Sequence, residues 1–175
     1  MSNFNEQLEI GKTGESLIAN WLKSRGNSIL PIYEIADNQF KGPALYCNDN
    51  SSLVAPDMAV FGNNDMLFVE AKYKSGFSWY RNGKTWVTGI DLHHFYQYLS
   101  FKKKVNKDVF IFFLHKGLSA KDSDISESGL FGGEIDYLLM NSSHRSDKHG
   151  TSGMIYWSKD SLTRYAEYSE VMNLV

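Results

Sequence analysis

The chain has 175 residues, 42% of them hydrophobic and 14% aromatic, with a formal net charge of −2. That length and composition suit one folded domain with a sizeable core and exclude a disordered or fibrous chain. The single cysteine, Cys47, excludes an internal disulfide and an all-cysteine zinc site, and the longest apolar run, Val109 to Leu114, is too short to span a bilayer.

Glu6 to Arg25 reads as the first helix: Ile10, Gly14, Leu17, Ile18, Trp21 and Leu22 recur at three- and four-residue steps, and Gly26 stops the run. Glu15 falls on the flank of that apolar stripe. Ile29 to Ile35 reads as a short strand, and Asp37 to Ser52 as a loop or irregular insertion. Leu53 to Phe61 and Met66 to Lys74 are strand candidates, and the short polar connector 62–65 predicts an antiparallel hairpin. A second hairpin is expected over Gly76 to Val87, around Asn82-Gly83. Ile90 to Val105 predicts a helix apolar on two sides, with His93, Gln97, Ser100 and Lys104 as a narrow polar stripe; such a helix packs between layers. Asp108 to His115 has the continuous apolar character of a central strand. Lys121 to Gly129 reads as a polar loop, Gly133 to Met140 as a strand and 141–153 as flexible. Met154 to Trp157 completes the strands, with a short helix from Ser158. The order predicts an α/β or α+β layered fold.

Charge is unevenly spread. Lys41 to Lys116 holds ten Lys or Arg against six Asp or Glu, whereas the remainder holds eight against fourteen. The basic middle includes Lys74, Arg81, Lys84, Lys102, Lys103 and Lys107, the candidate contacts to a nucleic-acid backbone. Trp79, Tyr80 and Trp86 lie among them and suit either base stacking or cross-strand packing. The amino terminus MSNFNEQLEI lacks the basic start and apolar run of a signal peptide, so a cytoplasmic location without a membrane partner is expected.

The chemistry concentrates in Pro56-Asp57 and Glu70-Ala71-Lys72. Residues two apart in a strand share a face, so Glu70 and Lys72 project together, with Lys74 beyond them. A hairpin partner ahead of them brings Asp57 alongside Glu70. Two carboxylates held close repel each other but suit a hard dication such as magnesium. Lys72 is then placed to orient or deprotonate an attacking water, or to offset charge in the transition state.

These residues, Leu53-Val54-Ala55-Pro56-Asp57 and Met66-Leu67-Phe68-Val69-Glu70-Ala71-Lys72, resemble the signature of the PD-(D/E)xK nuclease superfamily, which includes restriction endonucleases and junction resolvases. The likeness extends to Gly11-Lys12-Thr13-Gly14-Glu15, because resolvase-like members place a metal-site glutamate in such a helix. It implies a restriction endonuclease-like core: a central mixed sheet of about four or more strands flanked by helices. It further implies Asp57, Glu70 and Glu15 as ligands of Mg2+ (or Mn2+), Lys72 as the catalytic lysine, and Gln97 as a polar residue reaching the site from the later helix. On this basis 1–175 is one nuclease domain, with its core over 6–115 and a C-terminal extension over 116–175. The expected activity is magnesium-dependent DNA endonuclease cleavage. The alternatives are a nuclease specific for junctions, flaps or ends, and a non-catalytic nucleic-acid-binding module keeping the fold. Cutting both strands of a duplex would suit a homodimer. The segment Ile35 to Ser52 separates the first helix from Asp57 by more than a minimal core needs; it is either a specificity insertion or a sign that Glu15 stays outside the site.

Other patterns carry less. Gly11-Lys12-Thr13 is no P-loop, since Glu6 stands where that motif needs glycine. His144, Asp147 and His149 lie in a Ser/Asp/Gly-rich loop and read as surface. His93 and His94 are adjacent and point to different helical faces, and Glu134 with Asp136 reads as an exposed pair.

Overall fold

The computed structural model describes residues 4–32, 43–63, 65–117, 127–150 and 152–174. The fold is mixed α+β, built on a central six-stranded sheet flanked by helices. The sheet contains β1 (Ser28–Pro31), β4 (Met58–Phe61), β5 (Met66–Lys74), β8 (Val109–His115), β9 (Gly129–Glu134) and β12 (Thr163–Ala166), adjacent in that order. Its pairings are antiparallel except that of β5 with β8. A second sheet contains β10 (His144–Ser146), β11 (Met154–Ser158), β7 (Thr85–Asp91) and β6 (Ser78–Tyr80), and a small hairpin joins β2 (Ala44–Tyr46) to β3 (Ser52–Val54).

One face of the large sheet is covered by α1 (Phe4–Ser24) and α4 (Tyr168–Met172). Leu17, Ile18, Trp21, Val171 and the strand residues Val69, Ala71, Phe112 and Leu114 form this core. Gly14 sets the approach of α1: a Cβ there would lie 2.4 Å from Tyr73 Cβ. The opposite face is covered by α2 (Leu92–Val105), α3 (Ile135–Met140) and the second sheet. Phe95, Tyr98 and Phe101 of α2 pack against Val109, Ile111 and Phe113 below and Ile155 and Trp157 beside them. The two-sided apolar helix is thus a middle layer, capped by Asp91, whose side chain accepts the His93 N–H.

Several boundaries differ from those expected. The strand foreseen over Leu53 to Phe61 is broken at Pro56-Asp57, so β3 belongs to the hairpin and β4 to the main sheet. Ile90 lies in β7, because pairing with Ile155 continues until Asp91 caps α2. The strand foreseen from Gly133 to Met140 stops at Glu134, whose carboxylate accepts the N–H groups of Asp136 and Tyr137 and starts α3. Within 141–153, β10 pairs with β11, and β12 after the 3₁₀ turn Lys159–Ser161 was unforeseen. Residues after 115 therefore supply two strands of the main sheet rather than an appendage to it. The end of the first strand candidate, 33–35, the start of the insertion, 37–42, and most of the 121–129 loop lie outside the described residues, and the rest of the insertion holds β2 and the turn into β3 rather than an irregular loop. Among the described residues no helix is long and apolar enough to cross a membrane.

Gly14→Ala forces its Cβ against the root of the Tyr73 side chain, which cannot rotate away. Helix α1 must lift from the sheet, and urea denaturation should show a loss of about 1–3 kcal/mol, the usual cost of overpacking a close contact. An unchanged midpoint would mean that α1 docks more loosely than this contact implies.

Candidate active site

The site is built where the β4–β5 ladder stops. Pairing runs from Phe61 opposite Met66 to Met58 opposite Val69 and goes no further. Asp57 is next in line, and Pro56 beyond it has no N–H to offer a strand. Asp57 occupies the junction and bonds in both directions. Its carbonyl accepts the Ile32 N–H at 2.9 Å, continuing toward β1, while its Oδ2 accepts the Ala71 N–H at 2.8 Å. The carboxylate replaces the missing ladder partner of β5 and is thereby drawn beside Glu70.

Along β5, Val69 and Ala71 enter the core under α1, and Glu70, Lys72 and Lys74 take the other face. The Glu70 side chain is 2% exposed and that of Lys72 is 30% exposed. Glu70 Oε1 pairs with Lys72 Nζ, and the Tyr98 hydroxyl hydrogen-bonds to Glu70 from α2. Glu70 Oε2 is buried with no partner. A buried carboxylate oxygen left open is costly unless something else satisfies it.

The electrostatics describe a crowded acidic centre. Burial, then the charge on Glu70, hold the Asp57 carboxyl well above its ordinary pKa, with Glu15 adding to the effect. Glu15 is raised too, by burial and then by Glu70, against Lys72 and Lys12. Burial alone would push Lys72 down; Glu70, Asp57 and Glu15 outweigh it and raise the ammonium. Tyr98 is pushed well above its usual range by burial and by the charges of Glu70 and Asp57. Half-buried Glu15 on α1 is thus close enough for its charge to be felt by Asp57 and Lys72.

Among the described residues no group of three or more His, Cys, Asp or Glu side chains converges closely enough to hold a metal ion by itself. Magnesium does not require one, because it typically takes one or two carboxylates and keeps several waters. The open Oε2 of Glu70, the mutual repulsion of the acids and the all-oxygen donor set fit a hard dication.

Asp57, Glu70 and Lys72 lie at the base of a cavity of about 380 Å³. One wall is the β2–β3 hairpin, through Leu53, Val54 and Ala55. The other is the start of α2, through His93, His94 and Gln97. Gln97 Oε1 accepts the Val54 N–H at 3.2 Å and so braces the two walls. Burial, then Lys72, lower the His94 pKa, which places that imidazole near the centre. The two histidines and Tyr98 were not anticipated as site residues. The helical pattern put His94 and Tyr98 on one side of α2, but nothing in the sequence shows which strand that side faces.

The basic candidates separate into three groups. Lys74 is half-buried on the Glu70 strand face, lowered to about 8 by burial and by Lys72. Arg81 and Lys84 are exposed at the β6–β7 turn. The run on α2 is not an unopposed basic face: Lys102 is bound by Glu134 (2.5 Å), Asp136 (2.7 Å) and Asp108 (3.3 Å), and Lys107 pairs with Asp65 at 3.3 Å. Lys103 is exposed. The expected exposed pair, Glu134 and Asp136, clamps Lys102, with Asp136 exposed and Glu134 half-buried. Trp79 and Trp86 face each other across β6 and β7 with ring centroids 5.3 Å apart, a cross-strand pair. His144 is stacked between Tyr80 and Tyr156, at 3.8 and 4.6 Å.

The sheet order defines a mixed α+β fold that a solved structure shares. The structure of Archaeoglobus fulgidus Hjc, a Holliday junction resolvase from an archaeal hyperthermophile, matches with a TM-score of 0.51. The match covers 86% of this chain and 90% of that chain at 9% sequence identity, so the likeness is one of fold. No family model matches the sequence, and no curated protein does.

Asp57→Asn retains an acceptor for the Ala71 N–H and removes the charge. The raised pKa of Asp57 means that the folded wild type loses stability as pH rises from about 4 through that raised value. The variant should therefore melt at a higher temperature than the wild type at pH 7 in metal-free buffer, and the gain should vanish below about pH 4. Added magnesium should raise the melting temperature of the wild type alone. A variant less stable at pH 7 would show that the carboxylate is not under like-charge strain.

Proposed function

We propose that this protein is a metal-dependent, structure-specific nuclease that hydrolyses phosphodiester bonds in branched or otherwise interrupted DNA. The observation that carries this reading is the hydrogen bond from the Ala71 N–H to Asp57, which holds one carboxylate beside the buried, half-unpaired Glu70 and next to Lys72. The fold likeness to a Holliday junction resolvase favours the structure-specific alternative over a general endonuclease.

Asp57 and Glu70 are the residues that would hold the cation directly, and Glu15 from α1 would add its charge from further away. When bound, such an ion makes water a stronger nucleophile and offsets charge at phosphorus. Tyr98 fixes the orientation of Glu70 through its hydroxyl. The Lys72 ammonium, kept charged by Glu70 and Asp57, is a donor for a phosphate oxygen or for the attacking water. Lys74, Arg81 and Lys84 are the phosphate contacts of this reading. On α2 the exposed Lys103 is better placed for that role than Lys102 or Lys107, which have carboxylate partners.

The test is incubation with supercoiled, linear, four-way, flapped and single-stranded DNA in magnesium. Asp57→Asn and Lys72→Ala should each lower the cleavage rate by about a hundredfold or more. Lys72→Ala also leaves Glu70 without its ion-pair partner. It should destabilise the metal-free protein by about 1–3 kcal/mol, less than the roughly 3–5 of a fully buried pair because Lys72 is 30% exposed, and magnesium should restore part of the loss. Calcium should support binding without turnover. Variants that cut as fast as the wild type would move any activity elsewhere. DNA binding with no cleavage of any substrate would make the protein a non-catalytic module.

A further inference from the structure

The acids and lysine of the site lie at the bottom of a walled cavity, and the walls are tied together. Val54 of the hairpin donates to Gln97 Oε1, and Asp49 near the hairpin tip pairs with Lys104 at 3.4 Å. Leu45 and Val54 pack onto the core beside α2. The hairpin is therefore anchored to the helix along its length.

The space between these walls, about 380 Å³, is at the small end of ligand pockets, which run from about 300 to 1,000 Å³. The part enclosed between the walls has room for one nucleotide and not for a base pair. A paired nucleotide brings its partner strand with it, so it cannot enter such a space without first leaving the stack. The lining also suits a lone nucleotide. Leu53, beside the hairpin backbone at Val54 and Ala55, presents an apolar surface for a base or sugar, and His93 and His94 offer polar edges opposite. The Val54 N–H fixes Oε1 of Gln97 as its acceptor, which leaves Nε2 as a donor with no protein partner among the described residues. A phosphate on the same nucleotide would lie toward Lys72 and the acidic floor.

Resting on the nuclease reading above, we infer that the cavity between the β2–β3 hairpin and α2 receives a single unpaired nucleotide adjoining the scissile phosphate. The substrate class is DNA whose strand is unpaired at the cut, a flap or the unpaired edge of a branch, and an uninterrupted duplex is excluded.

Two oligonucleotides of equal length decide this, one a flush duplex and one carrying a short single-stranded flap. Binding is measured by fluorescence anisotropy in calcium and cleavage in magnesium, with the full chain in both assays. The flap should bind about tenfold or more tightly than the flush duplex, the scale of one stacked base, and cuts should fall in the unpaired strand. His93→Trp fills the cavity from α2 and Ser52→Trp fills it from the hairpin. Either variant, shown folded by its thermal transition, should abolish the flap preference while leaving flush-duplex binding within about twofold. Equal binding and cutting of both substrates by the wild type overturns the inference, as does an undiminished flap preference in both filling variants; the nuclease reading survives either result. If the wild type cuts nothing in magnesium, the nuclease reading fails, and the calcium comparison still decides for or against the single-nucleotide cavity.

Discussion

The carboxylate of Asp57 takes the Ala71 N–H at the point where β4 parts from β5, and the rest of the site follows from that substitution. A strand that ends beside another leaves unpaired backbone donors, and a buried donor without a partner costs about 1–3 kcal/mol. Here a charged side chain supplies the acceptor. The bond satisfies the backbone and at the same time brings a negative charge close to Glu70. Structural and electrostatic demands thus oppose each other at one residue. The raised pKa of Asp57 records the conflict, and a cation would relieve it.

Layering explains why Glu70 tolerates its burial. Helix α2 lies across the strand face that bears Glu70 and Lys72, and its Tyr98 both covers Glu70 and hydrogen-bonds to it. The same helix braces the β2–β3 hairpin through Gln97 and is fixed at its far end by Lys102, which three carboxylates from β9, α3 and the loop before β8 surround. A helix held at both ends presents His93 and His94 to the cavity from a fixed position. The charge on Lys102, which in sequence looks like an offer to a phosphate, is used internally for this purpose.

Much of this arrangement is legible in the sequence because it follows from short-range rules. The period of two places Glu70 with Lys72, the polar connector 62–65 gives the β4–β5 hairpin, and the apolar run gives β8. What escapes is non-local. The break at Pro56-Asp57 reads as continuous strand because apolar residues flank it on both sides, Leu53 and Val54 before and Met58 and Val60 after, and only the pairing partners reveal that two sheets share the segment. Glu134 looks like a strand residue until its carboxylate is seen to cap α3. The partners of Lys102 lie on elements 6 to 34 residues away, so no spacing rule connects them.

The one parallel pairing among the described strands of the large sheet, β5 with β8, has a kinetic consequence. Parallel neighbours must be joined by a crossover, and here that crossover contains β6, β7 and α2, the last of which walls the cavity. Closing such a connection costs chain entropy before any contact rewards it, so pairings of this kind form slowly. Beyond it, β9 and β12 must still return from the C-terminal part of the chain to cover β8. The acidic fork is local and can assemble early, but α2, which roofs it, is anchored through Lys102 to Glu134 and Asp136, which come later in the chain. A chain emerging from the ribosome would hold Asp57, Glu70 and Lys72 in hand before the anchors that fix the far end of α2 had followed.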